Sequence, residues 1–205
     1  MTARRELMVK SKKKSMDTEK LVMLALLSAI VAVLGYIAGY LKPFGLASLN
    51  LTLIPVVIGA AWCGPFAGAW LGGVAGAIFF ATPDAVFWLG LSIPGTIITV
   101  MVKGVASGLC AGFVYKLLEK YNRYLSVFVS AIVCPVVNTG IFWIGSLIFF
   151  MDTVSGGAAV EGVSVGVYLI VFFAGMNFIV ELIANIAASP VIVRILDIVK
   201  KQLKK

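Results

Sequence analysis

One lysine stands where a lysine is expensive. The stretch "GTIITVMVKGVASGLCAGFVY" (95–115) is apolar except for Lys103 and a few hydroxyls. Lys103 lies nine residues past Pro94, roughly 14 Å along a helix, which puts it near the middle of any membrane the helix crosses. A lysine there costs on the order of 3 kcal/mol unless it finds a partner or water. Thr96, Thr99, Lys103 and Ser107 follow one another at spacings of 3, 4 and 4, so they form one polar stripe on a helix. A second stripe, Asn177, Glu181 and Asn185, has spacings of 4 and 4. Asn138 and Thr139, just after Pro135, add a third set at similar depth. Side chains of these types can bind a small polar molecule. Lys103 would meet an anionic or strongly accepting group, Asn138 and Asn177 would hydrogen-bond, and Glu181 would pair with Lys103 or with a donor on the ligand. The competing reading is a structural network, with Lys103 paired to Glu181 and the asparagines satisfying backbone freed by Pro135. Trp88 and Phe87 either cover a ligand at the pocket mouth or sit at the lipid interface as anchoring aromatics.

Other chemistry is excluded by what the chain lacks. It has no histidine, which removes histidine-based metal sites and acid–base catalysis. Cys63, Cys110 and Cys134 have no metal-like spacing and read as small packing residues. There is no phosphate-binding Gly-Lys-Ser/Thr loop. The sequence therefore predicts neither an enzyme nor a cofactor or metal of its own.

The elements that must position these groups are membrane helices. Of 205 residues, 61% are hydrophobic and 13% charged, and the mean hydropathy is +1.06. The expectation is an all-α integral membrane protein with six transmembrane helices: about Lys20–Leu41, Leu51–Trp62, Pro65–Phe80, Pro94–Leu118, Tyr124–Phe150 and Val163–Leu196. The second and third are short, which predicts tilting or distortion. "ATPDAVFWLGLSIPG" and "MDTVSGGAAVEG" read as loops. Residues 1–19 form a basic segment, 20–198 a six-helix substrate-binding domain, and 199–205 a basic tail. Of the 17 basic residues, seven precede the first span, Lys116, Lys120 and Arg123 lie between the fourth and fifth, and five lie from Arg194 onward. Only Lys42 falls on the other side, so both termini are expected in the cytoplasm. The clusters flank spans, so topogenesis explains them better than nucleic acid does. Gly64, Gly68, Gly72 and Gly76, and Gly104, Gly108 and Gly112, are small-residue stripes for close helix packing. Ala25 and Ala29 read by themselves as the same device. The two halves show no obvious inverted repeat and no pair of broken helices, the marks of a self-sufficient secondary transporter. A binding subunit that draws energy from a partner fits that pattern.

The runs "NLTLIPVVIGAAWCGPFAGAWLGGVAGAIFF", "TVMVKGVASGLCAGFVYKLLEK", "CPVVNTGIFWIG" and "NFIVELIANIAASPVI" resemble the substrate-binding (S) components of energy-coupling factor (ECF) vitamin transporters, over Lys20 to Arg194. The resemblance implies a cell-membrane protein that captures a vitamin from outside. Uptake is then driven by a transmembrane coupling subunit and two ATPase subunits, where the ATP is hydrolysed. It implies that Ala25 and Ala29 match the Ala-x-x-x-Ala strip that contacts the coupling subunit. It also implies that the outer halves of the last three helices form the pocket, and that the first link, "LKPFGLASLN", acts as a gate. The substrate-binding residues are then Lys103, Thr96, Thr99, Asn138, Asn177, Glu181 and Trp88. The fold does not choose the vitamin. Lys103 favours pantothenate, with riboflavin next. The sequence shows no lining of stacking aromatics, which counts against a flavin. Two other readings stay open: a stand-alone secondary transporter of a small polar solute with Glu181 as its proton-coupling group, and a purely structural membrane subunit.

Overall fold

The computed structural model describes residues 2–40, 50–173 and 175–202, with side chains described over 18–40, 50–171, 175 and 177–198. Among the described residues all regular structure is helical. The helices are α1 (Thr2–Ala38), α2 (Leu53–Cys63), α3 (Pro65–Phe79), α4 (Pro83–Leu91), α5 (Ile93–Leu118), α6 (Arg123–Phe149), α7 (Met151–Val160), the single turn α8 (Val165–Val167) continuing into a π-helix (Tyr168–Phe173), and α9 (Gly175–Gln202). Four segments are long and apolar enough to cross a membrane: Thr18–Ala38, Ile93–Leu118, Arg123–Phe149 and Asn177–Ile198. Two further spans arise if each bent pair counts as one, Pro65–Phe79 with Pro83–Leu91 (85°) and Met151–Val160 with Val165–Val171 (99°). The expectation of an all-helical integral membrane protein holds. The basic segment before the first span is itself helical, continuous with α1.

Three local expectations are corrected. The segment expected as a loop after the third span contains α4. Its start is encoded by Thr82 in an extended conformation, Pro83 in the first turn and Asp84 just behind it, where proline and an acid favour a helix N-terminus. The second expected loop is α7, which ends in a glycine stop. Gly162 takes a positive φ of 65°, and the Val163 and Gly162 N–H groups donate back to Ala158 O (3.0 Å) and Ala159 O (3.3 Å), the paired bonds of a Schellman motif. The expected single span from Val163 to Leu196 is divided into α8 with its π-helix and α9. The two bent pairs also correct the expectation that the chain has no broken helices.

Packing is set by glycine. A Cβ on Gly72 would overlap the Gly104 carbonyl, and one on Gly108 would overlap the Gly68 carbonyl. α3 and α5 therefore lie backbone against backbone, the close approach that small residues permit in lipid. One apolar cluster joins Leu27, Val31, Val56, Leu71, Val127 and Ile192 from five helices. A second, at the opposite end, joins Trp88, Phe150, Val154, Ala158, Tyr168 and Leu169. The start of α6 and the end of α9 are tied by an ion pair between Arg123 and Asp197. Proline in α9 is compensated locally. Pro190 cannot donate to Ile186 O, and the Ser189 hydroxyl donates to that oxygen instead, at 2.7 Å.

The glycine contact gives a first prediction. Gly72→Val forces α3 and α5 apart and lowers stability by about 1–3 kcal/mol or more, as overpacking does. Gly140, in α6, has open space around its Cβ position, so Gly140→Ala leaves stability unchanged or raises it by up to about 1 kcal/mol. Thermal unfolding of the detergent-solubilised variants measures both.

Candidate functional site

The polar stripes converge on a cavity with about 100 Å³ open to the centre of a water-sized sphere. Its walls come from α1, the residues leading into α2, α3, α4, α5, α6 and α9, at the end of the bundle away from Arg123 and Asp197. α5 supplies the densest polar wall. Thr96 is buried and its hydroxyl donates to Trp88 O at 2.7 Å, fastening the end of α4 to the start of α5. Thr99 is buried against α6, where Gly145 leaves room for it: a Cβ there would meet Thr99 Cβ at 3.0 Å. The Thr99 hydroxyl has no hydrogen-bond partner among the described residues. One turn on, Lys103 reaches the cavity with its ammonium 4.8 Å from the centre of the Phe142 ring, a cation–π distance.

α6 and α9 face it. Asn138 is buried, and its Oδ1 has no partner among the described residues. Asn177 and Glu181 are buried on α9. Glu181 Oε1 accepts the Asn50 N–H at 2.7 Å, while its main-chain oxygen accepts from Asn185 Nδ2 at 2.9 Å. Asn50 also accepts a short bond from the Thr52 hydroxyl, so the residues leading into α2 are held against α9 by a carboxylate.

All seven expected binding residues, Thr96, Thr99, Lys103, Asn138, Asn177, Glu181 and Trp88, line this one cavity. The lower members of the two stripes do not. Ser107 donates to Gly104 O at 2.9 Å and so satisfies itself locally, while Asn185 turns its Nδ2 to its own helix and keeps a buried Oδ1 with no partner among the described residues. Among the described residues no carboxylate lies within 4.0 Å of the Lys103 ammonium. The structural pair of Lys103 with Glu181 is thus not formed, and Glu181 is engaged by Asn50 instead. Trp88 is 4% exposed and meets Phe142 and Phe150 edge to face, at 5.5 and 5.3 Å. The lipid-interface reading fits its neighbour Phe87, 41% exposed, and not Trp88.

The expectation of a wall without aromatics is corrected, because Phe79, Trp88, Phe142, Phe150 and Phe178 all line the cavity. A signal for two of them was present: Phe142 is one helical turn past Asn138, and Phe178 adjoins Asn177. Asp84, in the segment expected as a loop, is 1% exposed and lines the same cavity, with Asn50 and Thr52. Nothing in their spacing marked them; the fold of α4 and the entry into α2 bring them in. The gate expected in the first link falls mostly on residues 41–49, outside the described residues. Ala25 and Ala29 are both exposed on α1. Between them Ser28 accepts from Trp70 Nε1 at 3.2 Å and donates to Leu24 O at 2.7 Å.

Taken together, the cavity offers one cation, two carboxylates, amide and hydroxyl groups, and aromatic walls. Among the described residues no three His, Cys, Asp or Glu side chains cluster as metal ligands. The arrangement suits recognition of a small amphipathic molecule, apolar walls with a few placed polar groups.

No match was found among curated proteins or among solved structures. The family model described as the substrate-specific component of ECF transporters matches residues 19–194. That span covers all but the outermost residues of the four long membrane segments, and includes both bent pairs and every cavity-lining residue above. The chain belongs to the family of ECF transporter substrate-specific components, multi-pass membrane subunits that serve transport and associate with an ECF module of coupling and ATPase subunits.

Proposed function

We propose that the cavity is the substrate site, and that the chain captures a vitamin from outside the cell for ATP-driven uptake by a coupling subunit and two ATPases. The observation that carries this is Lys103: a cation at membrane depth, facing a cavity, with an aromatic ring as its neighbour and no carboxylate within 4.0 Å among the described residues. Intramembrane charges of this kind mark substrate pathways. The unpartnered Thr99 Oγ1 and Asn138 Oδ1 supply further hydrogen-bonding sites for a ligand, because buried polar atoms left unsatisfied are costly. Thr96, Asn177, Glu181 and Trp88 complete the wall. In the finer reading pantothenate stands first, its carboxylate meeting Lys103. Riboflavin stands next, and the five aromatic rings strengthen it. Both termini face the cytoplasm, by the fifteen-to-one distribution of basic residues.

Partner contact is assigned to the outer face of α1. Only 17% of its membrane-span window is buried, against 33–44% for the other three long spans. Ala25 and Ala29 form the smooth strip on that face, and the Trp70–Ser28 bond steadies its edge. Helices of the coupling subunit pack on such a strip through close backbone approach.

Two measurements test the two parts. Lys103→Ala removes a charge-assisted contact of about 1.5–3 kcal/mol, so vitamin affinity falls by about 10- to 150-fold while circular dichroism stays that of the parent. Titration calorimetry of the purified protein with pantothenate and with riboflavin reads this, and unchanged affinity for whichever binds sinks the assignment. The double variant Ala25→Trp with Ala29→Trp keeps vitamin binding and loses uptake by the assembled complex in vesicles. Uptake by the lone chain that survives ATP depletion and collapses with an uncoupler would instead favour the secondary-transporter reading.

A further inference from the structure

A second concavity lies at the other end of the molecule, in the groove between the start of α6 and the second half of α9. Its floor is Ser189 and Val193, both buried, and its walls are Tyr124, Leu125, Phe128 and Pro190, all exposed. The groove exists because proline interrupts the α9 ladder there, and because the Ser189 hydroxyl turns inward to Ile186 O. It is therefore nearly all apolar despite the serine. Tyr124, 66% exposed, is one of its walls, and an amphipathic ring of this kind favours the level of the headgroups.

The rim has the opposite character. Arg194 follows the lining residue Val193 and is exposed; Lys116 and Lys120, at the end of the helix before α6, are exposed as well. The Arg123–Asp197 ion pair holds these helix ends together and uses one acid of this end internally. Among the described residues no carboxylate lies within 4.0 Å of Arg194, Lys116 or Lys120. An apolar furrow opening onto unneutralised cations matches one occupant by charge and by shape, a lipid with an anionic headgroup.

We infer that the α6–α9 groove seats an acyl chain of an anionic phospholipid whose headgroup phosphate meets Arg194. The site is separate from the vitamin cavity and independent of the vitamin's identity. A lipid held there bridges α6 and α9, two helices that also carry Asn138, Asn177 and Glu181 of the cavity.

The test is native mass spectrometry of the full-length protein, delipidated in detergent and then titrated with phosphatidylglycerol or with phosphatidylcholine of the same chains. The expected result is preferential retention of phosphatidylglycerol. Arg194→Gln reduces that preference about fivefold, the effect of one basic residue near a charged lipid. Leu125→Trp, a change at an exposed position that fills the groove, reduces retention of both lipids. Equal retention of the two lipids by the parent protein overturns the proposal, as does unchanged retention in either variant. Displacement by glycerol phosphate alone also overturns it, because the site would then read the headgroup without the chain.

Discussion

Gly104 sits one residue from Lys103, and its backbone rests on the backbone of Gly72. That contact fixes how α5 lies on α3, and with it where the lysine goes. In lipid, helix association gains little from burying apolar surface, since the tails are as apolar as the side chains. Close van der Waals contact between small residues does the work. The Gly68–Gly108 contact one turn further on repeats the constraint, so α5 can neither rotate nor slide. Thr96, Thr99 and Lys103 are then held on the face turned toward α6 and α9, and the cavity follows from that register.

Polar groups in such a bundle divide into those that satisfy themselves and those that do not. Ser28, Ser107, Ser146 and Ser189 each donate to a carbonyl three or four residues earlier. This closes a hydrogen bond within the helix and leaves nothing exposed to hydrocarbon. Thr99 Oγ1 and Asn138 Oδ1 are exceptions, and both line the cavity with Lys103. Glu181 takes a third course: it is buried, yet it accepts a backbone N–H from Asn50 and so anchors the entry to α2. A carboxylate can thus shape the wall of a cavity while contributing to its chemistry.

The two bent helix pairs belong to the same end as the cavity. α4 brings Trp88 and Asp84 to its wall, and α7 packs Val154 and Ala158 on the cluster that holds Trp88 and Phe150. These short helices carry few polar signals and many glycines, so by pattern they resemble connections. They are stabilised by packing on one another and on the ends of the long helices, as most short helices are.

Hydrophobicity, the spacing of the polar residues and the glycine stripes were enough to identify an all-helical membrane protein, its long spans and the six polar residues that meet in one cavity. Those features repeat at helical spacing within single segments, and a single segment in lipid has few ways to hide a charge. What only the tertiary structure decided is what each group faces. Lys103 lies over Phe142 without direct contact to Glu181, and Glu181 accepts from Asn50, more than a hundred residues away in sequence. Asp84 and the aromatic wall enter through bends between helices, where the chain direction depends on packing across elements and leaves no periodic trace. Ala25 and Ala29 look alike in sequence whether they pack inward or face out. Their exposure follows from which side of α1 the other helices cover.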